Sequence, residues 1–153
     1  MADLNRPEVA IAILYQDQQF LMQLRDDIPG IPYPGHWGFF GGHLDPGETP
    51  AIAMHRELLE EIGYAPLHLT PFRQYQDETV IRHVFHAPLS VPLATLQLTE
   101  GWDMKLLTLA DIQRGSCYSP KADQVRPLGN PHQQILLDFY KQTRSTLGDF
   151  TQP

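Results

Sequence analysis

The chain has 153 residues, 42% of them hydrophobic, a formal net charge of −7 and a single cysteine. That suffices for one domain, 1–153, with its own core, and an acidic balance without any run of Lys or Arg argues against a nucleic-acid polymer as partner. Cys117 alone excludes an internal disulfide and leaves no Cys/His cluster for zinc, while Met1 to Glu8 lacks a leader pattern and no stretch reaches the roughly 18 apolar residues of a membrane span; a soluble cytoplasmic protein is the expectation.

In chain order, Glu8 to Tyr15 (EVAIAILY) and Gln19 to Arg25 (QFLMQLR) read as strands joined at Asp17-Gln18. Asp26 to His36 holds Pro29, Gly30, Pro32, Pro34 and Gly35, so it is a loop, long enough to be a surface element near a site. Trp37-Gly38-Phe39-Phe40 reads as one buried strand ending at Gly41-Gly42. Asp45-Pro46-Gly47 is a turn tripeptide, Thr49 a plausible N-cap, Pro50 fits the first helical position, and Gly63 suits the left-handed residue that closes a helix, so a helix is predicted over Pro50 to Ile62. Leu67 to Gln76 and Thr79 to Ala87 form a second hairpin turning at Asp77-Glu78. Asp103 to Leu107 is a short strand, Leu109 to Arg114 a short helix, and Pro131 to about Thr146 a longer helix with Ile135, Leu136, Phe139 and Tyr140 as its apolar stripe. No linker, repeat or low-complexity tract divides the chain.

The most specific feature lies on the first helix. Glu57, Glu60 and Glu61 follow Arg56 at offsets i, i+3 and i+4, which puts three carboxylates on one side of a helix. Like charges so spaced oppose helix formation unless neutralised, and Mg²⁺ or Mn²⁺, hard cations that take oxygen ligands, are the natural neutralisers.

The segment GHLDPGETPAIAMHRELLEEIGY resembles the Nudix box, G-x5-E-x7-R-E-U-x-E-E-x-G-U with U a bulky aliphatic. Gly42, Glu48, Arg56, Glu57, Leu58, Glu60, Glu61 and Gly63 match in place; only Tyr64 departs, at a packing position. The resemblance implies an α/β fold, the Nudix α/β/α sandwich with a mixed β-sheet between helices, and an activity, metal-dependent hydrolysis of a phosphoanhydride in a nucleoside diphosphate linked to another moiety. It implies that Glu57, Glu60 and Glu61 bind the metal together with the carbonyl of Gly41, that Arg56 orients a motif glutamate, and that Glu48 supports the site from the loop. The general base varies in the family; Glu60, Glu61 and Glu100, the last in Thr99-Glu100-Gly101-Trp102, are the candidates.

For substrate contacts, His43 could donate to the phosphates and Arg25 pair with one of them, while Trp37, Trp102 or Tyr33 could stack on a base. His55 falls on another helix face, and His83 and His86, three apart in a strand, face opposite sides and suit structural roles. The complete box and short layout most resemble the MutT-like group, which acts on oxidised or noncanonical nucleoside triphosphates, with nucleotide-sugar or ADP-ribose diphosphatases next. An isopentenyl-diphosphate-isomerase-like enzyme would need a cysteine at the site, where only Cys117 is on offer, and a nucleotide-sensing module without turnover usually loses box glutamates, whereas none is lost here. The partners reduce to a small nucleotide and, as an open option, a second copy of the chain as a homodimer.

Overall fold

The structure, a computed structural model, describes residues 6–146. Its elements are β1 (Glu8–Gln16), β2 (Gln19–Leu24), β3 (Trp37–Gly38), β4 (Phe40–His43), α1 (Pro50–Ile62), β5 (Thr70–Gln76), β6 (Ile81–Pro88), a 3-10 turn (Leu93–Thr95), β7 (Asp103–Thr108), α2 (Leu109–Arg114), β8 (Ser116–Ser119), β9 (Gln124–Pro127) and α3 (Asn130–Thr146). The main sheet runs β3-β2-β1-β6-β5, with β4 also paired to β1 and β7 to β2. It is mixed: β1 and β6 are parallel over Glu8 to Tyr15, and the other pairs are antiparallel.

Side-chain alternation along β1 builds two layers. Ala10, Ala12 and Leu14 face α1, packing with Ala53, Met54, Leu58 and Ile62, whereas Ile11 and Ile13 face α3, packing with Ile135, Leu136 and Phe139. The alanines leave room for α1 to lie close to the sheet, and the larger residues on the other face fill the space under α3. With helices covering both faces, the central strand is apolar on both sides.

The hairpin is short-lived as a pair. β1 and β2 are in register only at Tyr15↔Phe20 and Gln16↔Gln19, after which they diverge; β4 then pairs with β1 from Val9 to Ala12, while β3 and β7 pair with β2. The stretch Trp37 to Phe40 is therefore two strands and not one: the chain leaves β2 at Phe39 and crosses to β1, and β4 continues through Gly41 and Gly42 to His43. Gly41 makes that crossing possible. Its φ is +148°, and a Cβ there would lie 2.0 Å from the carbonyl oxygen of Ala10. The β8–β9 hairpin, Ser116–Ser119 against Gln124–Pro127, is not among the elements expected from the sequence. Among the described residues no helix is long and apolar enough to cross a membrane.

Candidate active site

Local chemistry fixes α1 at both ends. Thr49 Oγ1 accepts from the Ile52 amide at 3.3 Å, Pro50 occupies the first turn, and Gly63, at φ +69°, donates its N–H to the Leu59 carbonyl. With Ala53, Met54, Leu58 and Ile62 turned to the sheet, Glu57 and Glu61 are carried to the border of the buried face, next to β4, and Glu60 to the exposed side.

Arg56 is the hub of the arrangement. Its guanidinium donates to both oxygens of Glu48 (2.7 and 2.8 Å), to Glu57 Oε1 at 3.0 Å, to Glu60 Oε2 at 3.3 Å and to the His43 carbonyl at 3.2 Å. This two-pronged contact holds the Glu48 carboxyl down to about 2, with the Asp45 amide adding a further hydrogen bond, and it keeps Arg56 protonated well above any working pH. Arg56 thus ties Glu48, at the end of the Asp45 to Glu48 turn, to Glu57 on α1, and of these two only Glu57 lines the cavity.

Glu61 is in a different electrostatic position. Burial pushes its carboxyl up to about 8, and the charge of Glu57 adds to the shift against hydrogen bonds from the Gly41 amide (3.0 Å) and Gln23. Burial raises Glu57 as well, in spite of Arg56. Two neighbouring carboxyls held toward their protonated forms mark a place where added positive charge is favourable, and an oxygen-donor set of this kind suits Mg²⁺ or Mn²⁺ better than a thiolate- or imidazole-seeking metal. Among the described residues no three His, Cys, Asp or Glu side chains are already gathered into a chelate. To share an ion, Glu57 and Glu60 would have to turn from Arg56, while Glu61 is held by the Gly41 amide.

That cavity, of about 420 Å³, is lined by Arg25, Gly41, Glu57, Glu60, Glu61 and Glu100 among others. The structure therefore brings Glu57, Glu60 and Glu61 together with Glu100, which is distant in sequence and exposed, and with Arg25, while Glu48 lies behind them and does not line the cavity. Arg25 Nε is buried without a hydrogen-bond partner. A second cavity of about 450 Å³ shares Arg25 and Gly41 with the first and reaches Tyr33, Phe39, His43 and His132 on the α3 side.

Other expectations are redistributed. Trp37 is not a base-stacking residue: it is fully buried, and its indole Nε1 donates to the Cys117 carbonyl at 3.1 Å, so no ring face is open to a ligand. Cys117 itself is buried in the core beneath it and lines neither cavity. Trp102 packs against the α3-side core with the Arg126 guanidinium 5.7 Å from its ring centroid. His55 is exposed; His83 pairs with Glu8 at 2.7 Å, and His86 stacks on Tyr15 and against Phe139. Tyr64 joins the α1-side cluster and shares a 2.8 Å hydrogen bond with Ser90.

Sequence reasoning passed over Gln23 and His132. Gln23 is buried, donates to the Phe39 carbonyl at 3.3 Å and hydrogen-bonds Glu61; its signal was available, a polar residue two before Arg25 in an otherwise apolar strand, which places both on the α1 face. His132 had no such signal, because its partner Phe39 lies 93 positions away.

The fold and the box glutamates fit one family, and comparison with known proteins agrees. The NUDIX domain family matches residues 4–127, and the chain belongs to that family. It is 46% identical over 66 residues to an RNA pyrophosphohydrolase of Aeromonas hydrophila, covering 42% of this chain and 34% of that protein, and 44% identical over 46 residues to the 8-oxo-dGTP diphosphatase of Escherichia coli, covering 30% and 36%. The matched stretches thus span about a third of the length of these relatives. Among solved structures, the NUDIX domain of Shewanella oneidensis NrtR complexed with ADP ribose superimposes with a TM-score of 0.67 at 22% identity, covering 95% of this chain and 90% of that one.

Proposed function

We propose that the chain is a Mg²⁺- or Mn²⁺-dependent hydrolase of a phosphoanhydride bond in a nucleoside diphosphate linked to another moiety, with an oxidised or noncanonical nucleoside triphosphate as its substrate. The observation that carries the reading is the gathering of Glu57, Glu60, Glu61, Glu100 and Arg25 around one cavity, with Arg56 holding Glu48 and Glu57 in place behind it. The name of the Escherichia coli relative supports a nucleoside triphosphate, and the ADP ribose bound by the Shewanella domain supports a second reading, a nucleoside diphosphate with a sugar beyond it.

Glu57, Glu60, Glu61 and the Gly41 carbonyl would hold the metal. When bound, the metal screens the non-bridging phosphate oxygens and makes a bound water more acidic. The protein's own groups do the rest. Arg25, whose buried Nε has no hydrogen-bond partner among the described residues, offers charge-assisted hydrogen bonds to a phosphate at the junction of the two cavities. Arg56 holds Glu48 and Glu57 beside the cavity and so limits the positions from which Glu57 turns to an ion. Glu100, exposed at the same cavity, is the carboxylate we assign to take the proton from the attacking water, with Glu60 and Glu61 as the alternatives.

The test is a substrate panel with Mg²⁺ and with Mn²⁺: canonical nucleoside triphosphates, 8-oxo-dGTP, nucleotide sugars, ADP-ribose, dinucleoside polyphosphates and an RNA with a 5′-polyphosphate. Preferential release of nucleoside monophosphate and pyrophosphate from an altered triphosphate is expected. No product from any of them would defeat the hydrolase reading, and preference for the RNA would overturn the exclusion of polymers drawn from the net charge of −7.

A further inference from the structure

The loop from Asp26 to His36 walls both cavities: Asp26, Ile28 and Ile31 line the first, Pro32 and Tyr33 the second. Its own hydrogen bonds run within the loop or to its stem. The Arg25 amide donates to the His36 carbonyl at 3.0 Å, the Gly35 amide to the Asp26 carbonyl at 3.2 Å and the His36 amide to the Tyr33 carbonyl at 3.2 Å. These bonds close the neck of the loop and leave its placement against the fold to other contacts. One is the Tyr33 ring, set edge-on to His132 with centroids 6.2 Å apart. Another, and a charged one, comes from Arg126 on β9. Its Nε donates to the Gly35 carbonyl at 2.9 Å and its guanidinium faces the Asp27 carboxylate at 3.8 Å, so it grips the loop near both ends. Gly35 is fitted to that grip, with φ at +66° and a position where a Cβ would run into the guanidinium.

The same guanidinium lies 5.7 Å from the Trp102 ring centroid. Trp102 donates its amide to the Leu24 carbonyl at 2.8 Å and follows Thr99, Glu100 and Gly101, another part of the wall of the first cavity. The hairpin that carries Arg126 is anchored in turn, its Cys117 carbonyl accepting from the Trp37 indole at 3.1 Å and its Ser119 Oγ donating to the buried Asp103 carboxylate at 2.6 Å. Arg126 lines neither cavity, so whatever it does for a substrate it does through the loop. We infer that Arg126 is a positioning residue: it clamps the Asp26 to His36 loop against the Trp102 segment, and the β8–β9 hairpin serves the site by carrying that clamp. A loop already in its binding arrangement need not be ordered by the substrate. Apparent affinity scales with the population of the competent arrangement, so a loop released to about one tenth occupancy raises KM about tenfold, with the carboxylates on α1 untouched. Only the kinetic arm of the inference rests on the hydrolase reading.

Arg126→Met tests it, because methionine keeps an aliphatic stem and removes every donor. Amide hydrogen exchange followed by mass spectrometry, with no substrate present, should show the 26–36 loop exchanging at least about tenfold faster in the variant and α1 unchanged. With Mg²⁺ and 8-oxo-dGTP, or whichever compound of the substrate panel is turned over, KM should rise about tenfold while kcat stays within about threefold. Arg126→Lys, which can reach the Gly35 carbonyl but has no flat face for Trp102, should fall between the two in both readings. Arg126→Gln, too short for the grip, replaces the Met variant should that one fail to fold. Wild-type loop exchange or wild-type KM in a folded variant would overturn the inference. So would faster exchange throughout the chain, or a fall in kcat as large as the rise in KM, either of which makes Arg126 a general structural residue. A chain that hydrolyses nothing but whose loop is released in the variant defeats the hydrolase reading alone, and hydrolysis with an undisturbed loop defeats this one alone.

Discussion

Replacing Gly42 with alanine separates the stability of the fold from the geometry of the site. Gly42 lies in β4 opposite Ala10, and its φ is not positive, so alanine meets no backbone strain. The added Cβ would sit 2.6 Å from Glu57 Cδ and Oε1 and 2.8 Å from Oε2. Reaching an ordinary contact of 3.4 Å requires the carboxylate to retreat by about 0.8 Å (3.4 − 2.6), which pulls Oε1 away from its 3.0 Å bond to Arg56. A flexible side-chain end gives way cheaply, so overpacking should cost no more than about 1 kcal/mol, or about 2–4 °C in Tm. If Glu57 ligates the metal as proposed, its displacement and the loss of its orienting partner should weaken the apparent Mn²⁺ affinity about 10–100-fold. Thermal melts and a Mn²⁺ titration by electron paramagnetic resonance read the two effects. Gly41→Ala is the contrast: its Cβ would strike the Ala10 carbonyl at 2.0 Å at a φ of +148°, so that variant should lose the fold itself. A Gly42→Ala protein with wild-type Mn²⁺ binding, or one as unstable as Gly41→Ala, would refute the placement of Glu57.

The Glu61 carboxyl, raised to about 8 in the folded chain from its ordinary value of 4.5, binds its proton more tightly when folded, so its stabilising contribution is present below about pH 4.5 and is lost as pH rises through 8. In chelator-treated protein, Glu61→Gln should therefore flatten the fall of Tm between pH 5 and 8 and raise stability at pH 8 by on the order of 3 kcal/mol, an effect that saturating Mg²⁺ added to the wild type should reproduce; a steeper fall in the variant contradicts it. Arg56→Lys keeps the charge but cannot grip Glu48 with two nitrogens while reaching Glu57, so kcat should drop at least tenfold with little change in melting; wild-type kcat would remove Arg56 as a positioning residue. Trp37→Phe should cost about 1–3 kcal/mol by leaving the Cys117 carbonyl unpaired, with KM unchanged; a raised KM would return Trp37 to the substrate. Glu100→Gln at saturating metal should lower kcat about 10²-fold if Glu100 is the base, and an unchanged kcat assigns that role to Glu60 or Glu61.

What could be read from the chain alone was what neighbours in sequence decide. Helix α1 runs from Pro50 to Ile62 as expected because its start and stop, Thr49, Pro50 and Gly63, are local chemistry, and the short helix Leu109–Arg114 carries the same kind of ends, with Thr108 and Asp111 forming a capping box and Gly115 closing it. The division of Trp37 to Phe40 between two strands was not legible. It follows from the divergence of β1 and β2, which only tertiary pairing reveals. The β8–β9 hairpin escaped because Tyr118 and Val125 point outward and the second strand ends in proline, so neither run shows the alternation of a half-buried strand. The box glutamates announced the first cavity, whereas the second is assembled from Tyr33, Phe39, Arg82 and His132, which no spacing relates.

The central claim is that the carboxylates of α1 make this chain a metal-dependent hydrolase. Its most direct test is pyrophosphate release from 8-oxo-dGTP and the other triphosphates at saturating Mg²⁺ by the wild-type chain and by Glu57→Gln, both verified as folded. A loss of at least 10²-fold in kcat for Glu57→Gln, with dependence on Mg²⁺ in the wild type, is the predicted result. Undiminished turnover in Glu57→Gln, or wild-type turnover indifferent to chelator, would contradict it.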